Sequence, residues 1–207
     1  MVAQSVVFFA AGFETSSTTM TFCLHELAHN LDIQNRLRKE INEIIQKYDG
    51  KLTFDGIMEM KFLNMVLDET LRKYPPGSLI NRICTKDYII EETGTKIEAG
   101  IRVFISILGL HRDPEYFPNP EKFHPERFSD ENKPLIHPFT YLPFGEGPRI
   151  CIGLRFGLLQ AKIGLCLLLK NFIFTPHKSL KYNMTIHKNS HILSVENDVL
   201  LNIEKII

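Results

Sequence analysis

Residues 144–153 read FGEGPRICIG and place one cysteine, Cys151, at the end of a glycine-rich turn. Gly145, Gly147 and Gly153 open backbone conformations closed to other residues and let the chain approach a flat ligand closely, while Pro148 restricts the turn. From Leu154 the sequence passes straight into a long apolar helical pattern. A thiol just ahead of a helix N-terminus meets positive dipole charge and unpaired N–H groups, which favour thiolate, the form that binds metals. With no cysteine or histidine close by, a single thiolate suits haem iron better than zinc, because a porphyrin supplies four further ligands. The competing reading of a lone cysteine in a Gly-Pro turn is a buried structural thiol.

Working outward, the 207-residue chain is long enough to bury a sizeable core, and its formal net charge of zero offers no electrostatic case for nucleic acid. Cys23, Cys84, Cys151 and Cys166 form no CxxC pair, which argues against a disulfide framework or a zinc cluster and fits a reducing compartment. Met1 to Phe13 is apolar but has neither a basic flank nor a cleavage-like end, so it reads as the middle of a buried helix rather than a signal peptide or a span.

The first helix is expected over Val2 to Asn30 and carries AGFETSSTT at residues 11–19. Gly12 and Thr15 share a face; the missing side chain at Gly12 leaves room for a small ligand, and the Thr15 hydroxyl can interrupt the backbone ladder. The alternative for such a turn is ordinary back-bonding. Downstream, His25-Glu26-Leu27-Ala28-His29 satisfies HExxH, the zinc-peptidase pattern of two histidines one turn apart with a glutamate as general base. No third ligand of the HxxGxxH type follows, and solvent-facing histidines near a helix end are the competing account.

Leu31 to Tyr48 repeats apolar residues at helical spacing, with Arg36, Lys39, Glu40, Glu43 and Lys47 on the outer face; Thr53 and Asp55 cap a short turn after Asp49-Gly50. The next helix runs from Phe62 to Tyr74 and ends at Pro75-Pro76; within it Glu69 and Arg72 sit on one face and can pair. Short runs at Leu79 to Thr85, Tyr88 to Ile90, Thr95 to Ile97 and Arg102 to Ile107 predict a small antiparallel sheet. The proline density between His111 and Phe139 predicts an irregular packed loop. The helix after Cys151 is apolar nearly all round except at Arg155, Gln160 and Lys162, as a buried core helix would be. Ile192 to Val195 and Val199 to Ile203 read as a hairpin about Glu196-Asn197-Asp198, and Asn183-Met184-Thr185 is a sequon that a cytosol-facing domain would never use. Repeats and interdomain linkers are absent from the pattern, so one domain piece is expected.

Four motifs then line up. FGEGPRICIG resembles the haem-binding loop of the cytochrome P450 family, AGFETS its oxygen-binding groove, Glu69 to Arg72 its ExxR motif, and Pro125-Glu126-Arg127-Phe128 its PERF motif, in the family's order. The resemblance covers almost the whole chain and is strongest to insect microsomal enzymes that oxidise xenobiotics. It implies a mainly α fold with small β-sheets, the C-terminal part of the cytochrome P450 fold, with residues 1–207 a partial haem domain whose N-terminal part, membrane anchor and pocket roof lie elsewhere. It implies haem b held by the Cys151 thiolate, lined by Phe144, Gly145, Gly147, Gly153, Ala11 and Gly12, with Arg82 and Arg149 at its propionates. Thr15 would hydrogen-bond bound dioxygen and Glu14 would help deliver protons. Glu69, Arg72 and Arg127 would form a buried structural network; Val7, Ala10, Ala11, Pro76, Gly77, Ser78 and Ile80 would line the substrate pocket. The implied reaction is insertion of one oxygen atom into a small apolar substrate at the cytosolic face of the endoplasmic reticulum. Electrons would come from NADPH through NADPH-cytochrome P450 reductase. The rival readings are a zinc metallopeptidase using His25, Glu26 and His29, and a non-catalytic haem-binding remnant.

Overall fold

The computed structural model describes residues 2–182, 184–187, 190 and 192–206. Its helices are α1 Val2–His29, α2 Leu31–Lys47, α3 Phe54–Glu59, α4 Lys61–Lys73, α5 Ile107–His111 and α6 Leu154–Asn171. Three antiparallel strand pairs accompany them: β1 Leu79–Ile83 with β4 Arg102–Ser106, β2 Tyr88–Ile90 with β3 Thr95–Ile97, and β5 Phe172–Pro176 with β6 Leu201–Lys205.

The core lies where α1, α2, α4 and α6 meet. Cys23 and Leu27 of α1 pack with Leu37 and Ile41 of α2, Leu63 and Leu67 of α4, and Leu165 and Leu169 of α6. Each comes from an apolar stripe at helical spacing, so burying it is what holds the four helices together. One polar side chain inside this core is fully used: the Gln34 amide donates to Leu27 O and Phe174 O, and its oxygen accepts from Phe174 N and Arg38. This fixes α2 against both α1 and β5 without stranding a polar group. Thr53 caps α3 by accepting from Gly56 N at 3.1 Å.

Several expectations are corrected. Residues 2–13 form helix but are not buried: Phe9 is 74% exposed, and the buried residues of α1 begin at Ser16. Phe8 leans on Phe156 with ring centroids 5.9 Å apart, while the rest of that face is uncovered. Helix α6 is not apolar-buried all round; it buries one stripe through Ala161, Leu165 and Leu169 and exposes Phe156 and Leu167, while Lys162, expected to be a polar exception, is itself buried. Glu40 does not face away. It reaches across to accept from Phe62 N at 2.8 Å and Leu63 N at 2.9 Å, satisfying the open N–H groups of α4. The expected C-terminal hairpin does not form either: Val195 bridges to Ile186, and residues 201–205 pair with β5. Phe174 of β5 is buried in the main core and Leu201 of β6 packs against its edge while Ile203 stays exposed, a pairing that weak local alternation does not mark. Ile107, expected at the end of a strand, starts α5, where the Ser106 hydroxyl accepts from Gly109 N. The sequon residue Asn183 lies outside the described residues.

Candidate active site

A cavity of about 380 Å³ opens between α1, the end of α4, β1 and the loop before α6. The loop is shaped by two left-handed glycines, Gly145 at φ +73° and Gly147 at φ +76°, followed by a single 3-10 turn through Pro148. Cys151 N donates to Phe144 O at 2.9 Å and Gly145 N to Leu142 O at 3.1 Å, which closes the loop on itself. Cys151 is a free, exposed thiol on the cavity wall, and Gly153 follows as the residue that opens α6. Of the residues singled out from sequence, the cavity gathers Cys151, Phe144, Gly145, Arg149 and Arg82 with Thr15, Pro76, Gly77 and Ile80. Gly147, Gly153, Ser78, Gly12, Ala11, Ala10, Val7 and Glu14 are not on its wall.

Thr15 reaches the cavity from α1, but its hydroxyl donates to Ala11 O at 2.6 Å. The expected interruption of the ladder is absent, since α1 runs on as continuous helix; back-bonding one turn earlier satisfies the hydroxyl instead. Open space beside Gly12 is as expected: a Cβ added there would meet nothing within 4 Å. Glu14 is exposed. Arg149 has no hydrogen-bonded partner among the described residues, and Arg82 donates to Asn81 O without a carboxylate. Two guanidinium groups lacking acidic partners, beside apolar Leu71, Ile80 and Phe144 and one accessible thiol, fit a flat group bearing two carboxylates.

Behind the cavity, Glu69 and Arg72 form a bidentate pair with Nε to Oε2 at 2.7 Å and Nη2 to Oε1 at 3.0 Å, both side chains 0% exposed. Arg127 Nε approaches Glu69 Oε1 at 3.4 Å. His124 N also donates to Glu69, while Arg72 donates to His111 O and Pro120 O. The helix-face pair read from sequence is therefore buried and joined to the irregular 111–139 loop on both sides.

The cytochrome P450 family model matches residues 1–202. The chain belongs to the cytochrome P450 family. Among curated relatives, cytochrome P450 6k1 of Blattella germanica is 46% identical over 205 residues, covering 99% of this chain and 39% of that one. Cytochrome P450 6l1 of the same species is 49% identical over 179 residues, 86% of this chain and 36% of that one. Probable cytochrome P450 6a23 of Drosophila melanogaster is 48% identical over 206 residues, 100% of this chain and 41% of that one. The chain thus spans about two fifths of the length of the curated relatives it matches. No helix among the described residues is long and apolar enough to cross a membrane.

In this P450 chain the HExxH match has another use. His25 and Glu26 are fully buried, not solvent-facing, and Glu26 accepts from Lys73 Nζ at 2.7 Å and Tyr74 OH at 2.6 Å. Tyr182 OH and Asn30 complete the carboxylate's partners, and His25 Nε2 lies 3.1 Å from Tyr182 O. A general base needs a free carboxylate facing solvent or substrate, whereas this one neutralises a buried lysine. No group of three His, Cys, Asp or Glu side chains among the described residues is placed to hold a metal ion. Sequence reasoning missed Lys73, Tyr182, Tyr141 and His111. His111 offered no spacing signal, since its partners Arg72 and Leu142 lie 39 and 31 residues away.

Proposed function

We propose that this chain is the cysteine-side part of a P450 haem domain whose whole protein is a haem-thiolate monooxygenase acting on small apolar compounds, xenobiotic or endogenous. The observation that carries the proposal is the meeting of Cys151, Thr15, Arg82 and Arg149 around one cavity. Cys151 would ligate the iron of haem b, and Arg82 and Arg149 would each present paired N–H donors to a propionate. Phe144 and Gly145 on the wall, with Gly147 and Gly153 in the same loop, would form the cradle that holds the group, and Ala11 and Gly12 of α1 would approach it from the other side. When bound, the haem supplies the activation of dioxygen.

The chain's own residues hold and move protons around that group. Because the Thr15 proton is given to Ala11 O, its oxygen is left as an acceptor toward the cavity. The hydroxyl would fix a protonated ligand atom there, and Glu14, exposed on the same turn of α1, would exchange protons with water. Pro76, Gly77, Ser78 and Ile80, with Val7, Ala10 and Ala11, would supply the pocket side of the substrate chamber. Glu69, Arg72 and Arg127 hold the wall and take no part in the chemistry. Electrons would reach the cysteine side from NADPH through NADPH-cytochrome P450 reductase, with the whole protein at the cytosolic face of the endoplasmic reticulum.

The test is the reduced, carbon-monoxide difference spectrum of the full-length protein and its Cys151→Ser variant. A thiolate-type Soret band in the parent and its loss in the variant are expected; the same band in both would overturn the assignment of the ligand. Metal analysis of the same preparation should return iron as haem, and zinc without haem would sink the proposal.

A further inference from the structure

His111 is the last residue of α5 and is completely buried. Both ring nitrogens are used. Nδ1 lies 3.0 Å from Arg72 O, which can only accept, so Nδ1 carries the proton; Nε2 lies 2.8 Å from Leu142 N, which can only donate, so Nε2 is bare. The partners on either side fix one neutral tautomer. Burial also pulls the pKa of His111 down to about 4, so the acceptor at Nε2 is available throughout the neutral range.

The two partners belong to different parts of the site. Arg72 sits in the buried Glu69 pair at the end of α4 and also donates through Nη1 to His111 O at 2.7 Å, so the two residues hold each other through backbone and side chain alike. Leu142 enters the cysteine loop: its carbonyl accepts from Gly145 N at 3.1 Å, and Phe144 O in turn accepts from Cys151 N at 2.9 Å. The imidazole also stacks on Tyr141, with centroids 5.3 Å apart, and meets the edge of Phe117. A continuous path of hydrogen bonds and short backbone steps thus runs from the Glu69–Arg72 pair through His111 to the cysteine, while the Tyr141 hydroxyl ties the same segment to α4 a turn earlier, at Asp68 O, 3.0 Å away.

We infer that His111 is a positioning residue, whose imidazole sets the cysteine loop against α4 and thereby holds Cys151 where it can ligate iron. The inference rests on the proposed ligation by Cys151. Outer partners of a ligand orient it and fix its donor strength, so loss of the Leu142 link acts on the ligand even though His111 never touches it.

Two substitutions separate the halves of the bridge. In His111→Asn the carboxamide reaches the Nδ1 position and can donate to Arg72 O but ends short of Leu142 N; in His111→Gln the oxygen reaches the Nε2 position and can accept from Leu142 N. The readout is the share of bound haem showing the thiolate-type carbon-monoxide band in the full-length protein. His111→Asn should lower that share about tenfold, in line with the loss of an outer-shell partner, while His111→Gln keeps most of it. Glu40→Ala, which weakens the opposite end of α4, should lower stability and leave the share unchanged. An undiminished share in His111→Asn, or an equal fall in Glu40→Ala, would overturn the inference, as would loss of haem from both His111 variants. Absence of the band from the parent protein would instead remove the Cys151 assignment, and the inference with it.

Discussion

Arg72 shows how much depends on one side chain. Its guanidinium is fully buried and donates to both oxygens of Glu69, to His111 O and to Pro120 O. Removing Glu69 would strand that charge away from water, so Glu69→Ala should destabilise the protein by about 3–5 kcal/mol, read as a fall in the urea midpoint at constant m-value. His111 sets an acid limit. Burial pulls its folded-state pKa down to about 4 from the ordinary 6.5, so in this window the unfolded chain binds a proton that the folded chain does not. Stability therefore falls as pH drops through the window and levels off below it, with a loss on the order of 3 kcal/mol. Burial lowers His25 in the same direction. Unfolding midpoints between pH 7 and pH 4 should show the decline, and His111→Gln should flatten part of it. The residue types at 69, 72, 127 and 151 were legible in sequence as motif positions, whereas the bridging role of His111 was not, because no local pattern marks a histidine whose partners are distant.

At the scale of elements, helix ends decide how well the pieces join. The N-terminus of α4 is satisfied by a carboxylate from α2, with Glu40 taking the Phe62 and Leu63 N–H groups on its two oxygens. Glu40→Ala should cost about 1–2 kcal/mol, the scale of a lost cap with charge-assisted bonds, and thermal unfolding of the variant would measure it. Helix spans from α1 to α4 and the strand pairs β2 and β3 follow the periodicity and turn chemistry of their own residues. The pairing of β6 with β5 does not, since 201–205 meet 172–176 across a long connection that no local pattern marks.

At the scale of the whole molecule, an apolar face stays open. Phe8, Phe9 and Phe13 on α1 and Phe156 and Leu167 on α6 are all more than half exposed, a cluster of large apolar side chains of the kind that marks an association surface. The isolated chain should therefore self-associate, and sedimentation velocity should show species larger than the 23.9 kDa monomer. We also expect it to be inactive alone, because it carries one wall of the proposed chamber. Turnover of a lipophilic probe by the isolated chain with reductase and NADPH would refute that.

The sequence by itself determined the family, the order of the helices and some of the residues that line the cavity, Cys151, Thr15, Arg82 and Arg149 among them, while others expected there, such as Gly12 and Ser78, are not on its wall. Those properties are written in short-range terms: glycines where φ is positive, prolines that stop helices, apolar residues at fixed spacing. Only the tertiary structure decided what each polar side chain does. Glu26 became the partner of a buried lysine instead of a general base, Glu40 became a helix cap instead of a surface charge, and His111 became the link to the cysteine loop. The reason is physical: a buried polar group must find its partner wherever the fold brings one, and those partners lie as far as 156 residues away along the chain, as Tyr182 does from Glu26.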